Sequence, residues 1–150
     1  MESANWIWGL LLIVLTIAIH AVGVVLTGLA FLGIRRRLEG RQLRLRQAIP
    51  ILVALVAAAG LLLAVLHGIE AGIWAVAYVW LGAIGSPAEA ILYSVDSMST
   101  RGASGLTLEA HWRMMGALEA VDGMLLFGIS TAYIFAIIQV SWQQLTRSEG

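Results

Sequence analysis

Residues 86–105 read S-P-A-E-A-I-L-Y-S-V-D-S-M-S-T-R-G-A-S-G: a helix start, a short helical pattern and a loop of small residues. Ser86 is the residue type that caps a helix, and Pro87 falls in the first turn, where a missing amide hydrogen costs nothing. The pattern runs to about Met98, some ~18 Å at 1.5 Å per residue, too short to cross a hydrocarbon core of ~30 Å. In a membrane, a half-length helix followed by Ser99 to Gly105 must end at depth or fold back. Irregular backbone there is tolerated only where protein covers it or where it lines a water-filled path.

The surrounding chain supplies the membrane. Hydrophobic residues make up 60% of the 150 and charged residues only 12%, a balance outside the soluble range. No Asp, Glu, Lys or Arg occurs in 3–34, 47–69, 71–88 or 123–146. The first, second and last of these stretches exceed the ~20 residues a spanning helix needs. The expected fold is an all-α membrane protein with three transmembrane helices. A re-entrant helix over 87–98 and a loop over 99–105 lie between the second and third. The expected segments are a first helix in 1–34, a connector at 35–47, a module over 48–143 whose last helix covers 112–143, and a tail at 144–150.

Charge placement gives orientation. Six of the nine basic residues, Arg35, Arg36, Arg37, Arg41, Arg44 and Arg46, fall in the connector against one acid, Glu39, which puts the connector in the cytoplasm. The N-terminus is then extracytoplasmic, the 86–105 segment lies on the outer side, and the C-terminus is cytoplasmic. The expected location is a bacterial-type inner membrane. Met1 to Trp6 lacks the basic region of a cleavable leader, so the first helix is expected to be retained. The absence of cysteine excludes disulfides and thiolate chemistry. The short juxtamembrane arginine run fits anionic lipid headgroups as partner and gives no support for nucleic-acid binding.

The segment resembles the pore helix and filter of potassium-channel pore modules, in which A-L-x-x-S-x-x-T-x-T-T-x-G-Y-G-D leads from an outer helix to an inner helix. Ala90, Ser94, Ser97, Ser99, Thr100 and Gly102 coincide with that pattern or substitute closely. Residues 112–138 look like the inner helix of small bacterial members. Coverage is about 48–138, with the first helix an addition. The resemblance implies a homotetramer, permeant ions instead of a cofactor, and a filter at Thr100, Arg101, Gly102, Ala103 and Ser104. It implies support from Asp96 and Ser97 behind that filter, and a hinge at Gly123 or Gly128, for which close helix packing is the competing role.

The filter departs from the family. Family members present rows of backbone carbonyls in place of potassium's hydration shell. Ser104 stands where the second glycine would allow the required backbone, and Ala103 replaces the tyrosine that holds pore diameter. Strict potassium selectivity is therefore not expected. Arg101 either snorkels to outer water or pairs with Asp96 behind the filter, as two charges at depth require. The pairing is the expectation taken forward.

His67 and Glu70 share one helix face, as do Glu119 and Asp122, and the four form a candidate proton or metal site. The competing role is hydrogen bonding between helices. His20 reads as a buried hydrogen-bonding residue. Trp74, Tyr78 and Trp80 read as an outer aromatic belt. The expected function is a channel-like tetrameric pore with non-standard selectivity. The alternatives are a non-conducting structural or sensor subunit and an intramembrane metal-binding protein or enzyme. No nucleophile motif supports the enzyme, so no enzymatic activity is expected.

Overall fold

The computed structural model describes residues 2–38, 45–102 and 104–147. Four α-helices and one 3-10 turn follow in order: α1 (Glu2–Leu38), α2 (Leu45–Trp80), α3 (Pro87–Met98), the turn (Ala110–Trp112) and α4 (Arg113–Arg147). No strand occurs among the described residues. Three stretches, Ala4–Ile34, Arg46–Trp80 and Ala110–Gln143, are long and apolar enough to cross a membrane. Large apolar side chains such as Val14, Leu61, Val76 and Phe127 face outward from all three long helices. An apolar exterior of that extent suits lipid or a neighbouring chain.

Helices extend into the arginine connector from both sides. α1 continues through Arg35–Leu38 and α2 begins at Leu45; arginine is a good helix former, and at the end of α1 its charge also favours the helix C-terminus. Glu39, Arg41 and Arg44 lie outside the described residues, as do 148–150 of the tail. α4 is helical through Arg147, four residues beyond the expected end at 143.

Register follows from cross-helix contacts. Trp8 packs edge-on against Trp80 with ring centroids 5.2 Å apart, and His20 meets Glu70, so α1 and α2 run antiparallel. Asn5 donates to the His111 carbonyl, and Thr16 meets Asp122, so α1 and α4 run parallel. α2 and α4 are antiparallel, since Trp74 meets Asp122 and Tyr78 meets Glu119. A three-helix bundle results, with α3 packed on α2 and α4 at the end where α2 finishes.

The Ser86 hydroxyl accepts from the Glu89 amide at 3.5 Å, and α3 is capped as its sequence requires. At its other end Met98 lies against Gly123, 13 residues past the start of the third apolar stretch at Ala110, or ~20 Å along the helix. The chain then returns, and the Glu109 amide donates to the Ala83 carbonyl at 3.2 Å. Thr100, Gly102 and Gly105 take positive φ of 56°, 61° and 71°. That conformation is cheap for glycine and uncommon for threonine, so the loop carries backbone strain at Thr100.

Two glycines of α4 are contact points for α3. A Cβ on Gly116 would overlap the Tyr93 hydroxyl, and one on Gly123 would fall 2.2 Å from the Met98 carbonyl oxygen. Nothing lies within 4 Å of a Cβ on Gly128. Gly123→Ala should therefore force rigid backbone apart and cost about 1–3 kcal/mol. Gly128→Ala should be neutral or mildly stabilising. Thermal unfolding of the two variants in detergent, followed by circular dichroism, checks the difference; equal midpoints would refute the close α3–α4 contact.

Candidate functional site

The bundle interior holds a column of polar side chains: Thr16, His20, Glu70, Ser94, Glu119 and Asp122 have no exposed surface, and Ser130 is 6% exposed. Sequence spacing builds it. Thr16 and His20 are four apart on α1. Glu70, Trp74 and Tyr78 follow at intervals of four on α2, while Glu119, Asp122 and Ser130 share the inner face of α4. Such spacings put side chains on one face of a helix.

Three groups of contacts make up the column. Nearest the end occupied by α3, the Tyr78 hydroxyl donates to Glu119 Oε2 at 2.7 Å. The Ser94 hydroxyl bonds the other Glu119 oxygen and the Ala71 carbonyl. α3 is further held by Ser97, which donates to the Gly116 carbonyl at 3.0 Å. One step deeper, Asp122 Oδ2 accepts from Thr16 Oγ1 at 2.7 Å and from Trp74 Nε1 at 2.9 Å. Its other oxygen, Oδ1, is buried without a hydrogen-bond partner among the described residues.

The deepest group is a closed ring. His20 Nδ1 lies 2.9 Å from Glu70 Oε1 and His20 Nε2 lies 3.0 Å from Ser130 Oγ. His67 Nε2 lies 3.1 Å from the same Ser130 oxygen, and His67 Nδ1 lies 3.3 Å from Glu70 Oε2. Three of these contacts are hydrogen bonds, for which the Ser130 hydroxyl can supply one hydrogen and the imidazoles the other two, while Glu70 Oε2, near His67 Nδ1, has no hydrogen-bond partner among the described residues.

His67 joins the ring to the outside. Its side chain is 28% exposed, and it lines a cleft of about 520 Å³ beneath the end of α3. Gly68 and Ala71 of α2, Met98 and Thr100 at the end of α3, and Gly123 and Phe127 of α4 also face this cleft.

No protein-family model matches the sequence. Comparison with curated proteins and with solved structures likewise found no match. The functional reading therefore rests on this chain's own residues.

Of the four residues grouped from sequence, the structure brings His67 and Glu70 together and adds His20 and Ser130. Glu119 ties α4 to α2 and α3, and Asp122 ties α4 to α1 and α2. Trp74 and Tyr78 are not belt residues: both are fully buried and hydrogen-bond carboxylates, whereas Trp80 is 71% exposed at the rim. The missed signal was the interval of four from Glu70 to Trp74 to Tyr78, which is one buried face and not a girdle. Thr16 and Ser130 carried no signal beyond their place on an inner face.

In the loop, Arg101 Nε donates to Asp96 Oδ1 at 2.6 Å, and the Ser104 amide donates to Asp96 Oδ2 at 2.9 Å. Ala103 lies outside the described residues. The pair differs from a buried one in a single respect: Asp96 is 4% exposed but the Arg101 side chain is 62% exposed. An unpaired Arg101 would simply hydrate. Asp96 titrates at about 2 instead of 3.8, held down first by the Arg101 hydrogen bond and then by the Ser104 amide. Its carboxylate therefore secures the loop fully above pH 3.8, and the contribution is lost as pH falls toward 2.

Two outcomes follow. Thr16→Val and Trp74→Phe each take one donor from the buried Asp122 oxygen and should cost about 1–3 kcal/mol. Their effects should couple in a double-mutant cycle of unfolding in detergent, and strict additivity would show that Asp122 is not the shared acceptor. Arg101→Val should shift acid-induced loosening of the loop to higher pH, and Asp96→Asn should abolish that acid-dependent component. Limited proteolysis at residues 99–109 between pH 6 and 2 measures both.

Proposed function

We propose that the chain is one subunit of a tetrameric pore-loop protein of an inner membrane, resembling a potassium-channel pore module. In this reading α2, α3 and α4 are the outer, pore and inner helices, α1 is an added helix, and the loop from Ser99 to Gly105 is the filter. The observation that carries the reading is the path of the 83–109 segment. It leaves Ala83, descends along α3 to Gly123, about a third of the way along α4, and climbs back through three positive-φ residues to Glu109 beside Ala83. Backbone at that depth needs a wet or protein-lined path, and one loop per chain needs several chains to enclose one.

The filter is expected to pass cations with little discrimination between potassium and sodium. Asp96 draws the Arg101 guanidinium back toward α3, so the basic group is engaged and does not form the positive ring that would repel cations. Ser104 and the lost tyrosine position remove the frame that fits potassium. Gly128 and Thr131, exposed on α4 away from the chain's own partners, suit a face turned to the cavity or to a neighbour. The arginine connector supports a cytoplasmic side for residues 35–47, with both orientation and lipid contact following from it.

Reconstitution into liposomes with potassium, sodium, calcium and chloride flux measured separately tests this. Comparable potassium and sodium flux with chloride excluded is expected, and Gly102→Val should abolish flux while chemical cross-linking still yields four-chain products. Absence of flux for every ion, with tetramers present, would replace the channel by a non-conducting channel-like subunit.

A further inference from the structure

The ring of His20, His67, Glu70 and Ser130 has a geometry that hydrogen bonding between helices does not require. Both imidazoles turn the same atom, Nδ1, toward the two oxygens of one carboxylate, at 2.9 and 3.3 Å. Both turn the other atom, Nε2, toward one hydroxyl oxygen, at 3.0 and 3.1 Å. Two nitrogens and a carboxylate oxygen bound tetrahedrally at ~2.0–2.1 Å stand about 3.3 Å apart. The ligand atoms of His20, His67 and Glu70 all lie within 4.8 Å of one another.

We infer that His20 Nδ1, His67 Nδ1 and the Glu70 carboxylate form a binding site for a divalent transition-metal ion such as zinc, entered from the cleft beside His67. The site lies within one chain and does not rest on the pore reading.

Ser130 is the second observation. A metal on both Nδ1 atoms leaves a hydrogen on each Nε2, and both hydrogens point at Ser130 Oγ, whose two lone pairs accept them. In the metal-free ring the roles of that hydroxyl follow the two tautomers, whereas a metal on both Nδ1 atoms fixes both imidazoles as donors to it. Fixing the far nitrogen of a ligating histidine in this way is a regular feature of metal centres. Glu70 Oε2 is fully buried and has no hydrogen-bond partner among the described residues, and the same is true of Asp122 Oδ1. A divalent ion beside one carboxylate keeps a positive charge, which the free Asp122 oxygen is placed to offset.

Ligand type selects the ion. Two imidazoles with one carboxylate suit zinc, copper, nickel or ferrous iron, whereas calcium and magnesium demand six or more oxygens. Three protein ligands leave a fourth position on the side of the cleft. The helices contributing ligands are α1 and α2, with α4 contributing Ser130, so a bound ion would clamp the three spanning helices at one level.

The test uses the full chain in detergent, stripped with chelator and reloaded with zinc, or with cobalt as a spectroscopic substitute. One equivalent per chain is expected, with visible cobalt bands of four- or five-coordinate nitrogen and oxygen ligation and no competition from excess calcium or magnesium. His67→Ala and Glu70→Gln should abolish binding. Ser130→Ala should weaken it by about 10–100-fold, and His111→Ala, at the exposed outer turn, should leave it unchanged. His67 borders the cleft, so its variant is expected to keep the parent's helicity and elution volume. Failure of the folded parent to bind zinc, six-coordinate cobalt spectra, or binding that survives His67→Ala but not His111→Ala would each overturn the assignment.

Discussion

A carboxylate placed among apolar helices must find donors inside the protein, and Asp122 finds two, Thr16 on α1 and Trp74 on α2. The remaining packing depends on that requirement. Lipid is as apolar as the helix surfaces, so burying leucine against leucine gives helices in a membrane no reason to choose one partner over another. Polar contacts supply the choice. Asp122 fixes the register of α4 against both neighbours, the ring around Glu70 repeats the constraint about one turn further along α1 and α2, and Glu119 extends it to α3 through Ser94. Each helix is thereby aligned at two levels or more, which excludes sliding as well as rotation.

α3 is the element whose position this alignment makes useful. It is short, and its own hydrogen bonds would not hold it against α2 and α4. Tyr93 over Gly116 and Met98 over Gly123 bring its backbone close to α4, and only residues without side chains permit that approach. The loop that follows is then held from behind, by Asp96 reaching forward to the Ser104 amide and to Arg101. A strained Thr100 persists in that setting because both ends of the loop are fixed.

Much of this was legible from residues alone, and what was not has a physical reason. Composition and charge-free runs announce three long apolar helices; Ser86-Pro87 announces α3; and the expectation of a partner for Asp96 follows from the cost of a charge at depth. The polar column was harder to read because its members are few and scattered over three helices. Within one helix, His67 and Glu70 stand out by their charge, but Ser130 and Thr16 look like ordinary small residues of a membrane helix. Trp74 and Tyr78 mislead for a related reason: aromatic residues near a helix end are frequent at interfaces, and only their interval of four from Glu70 tells that they face inward. Sequence gives no distance between helices, so which pairs meet across the bundle had to come from the structure.

The column also bears on how the chain is made. Over its most apolar 18 residues α4 has the lowest mean hydropathy of the three long helices, 1.9 against 2.7 and 2.9, and it also carries the buried Glu119 and Asp122. Their partners Thr16, Trp74 and Tyr78 lie on helices that leave the ribosome first. In a membrane, that order of synthesis would offer Glu119 and Asp122 donors on α1 and α2 in place of lipid alone. α1 would then serve the placement of α4 as well as the finished bundle.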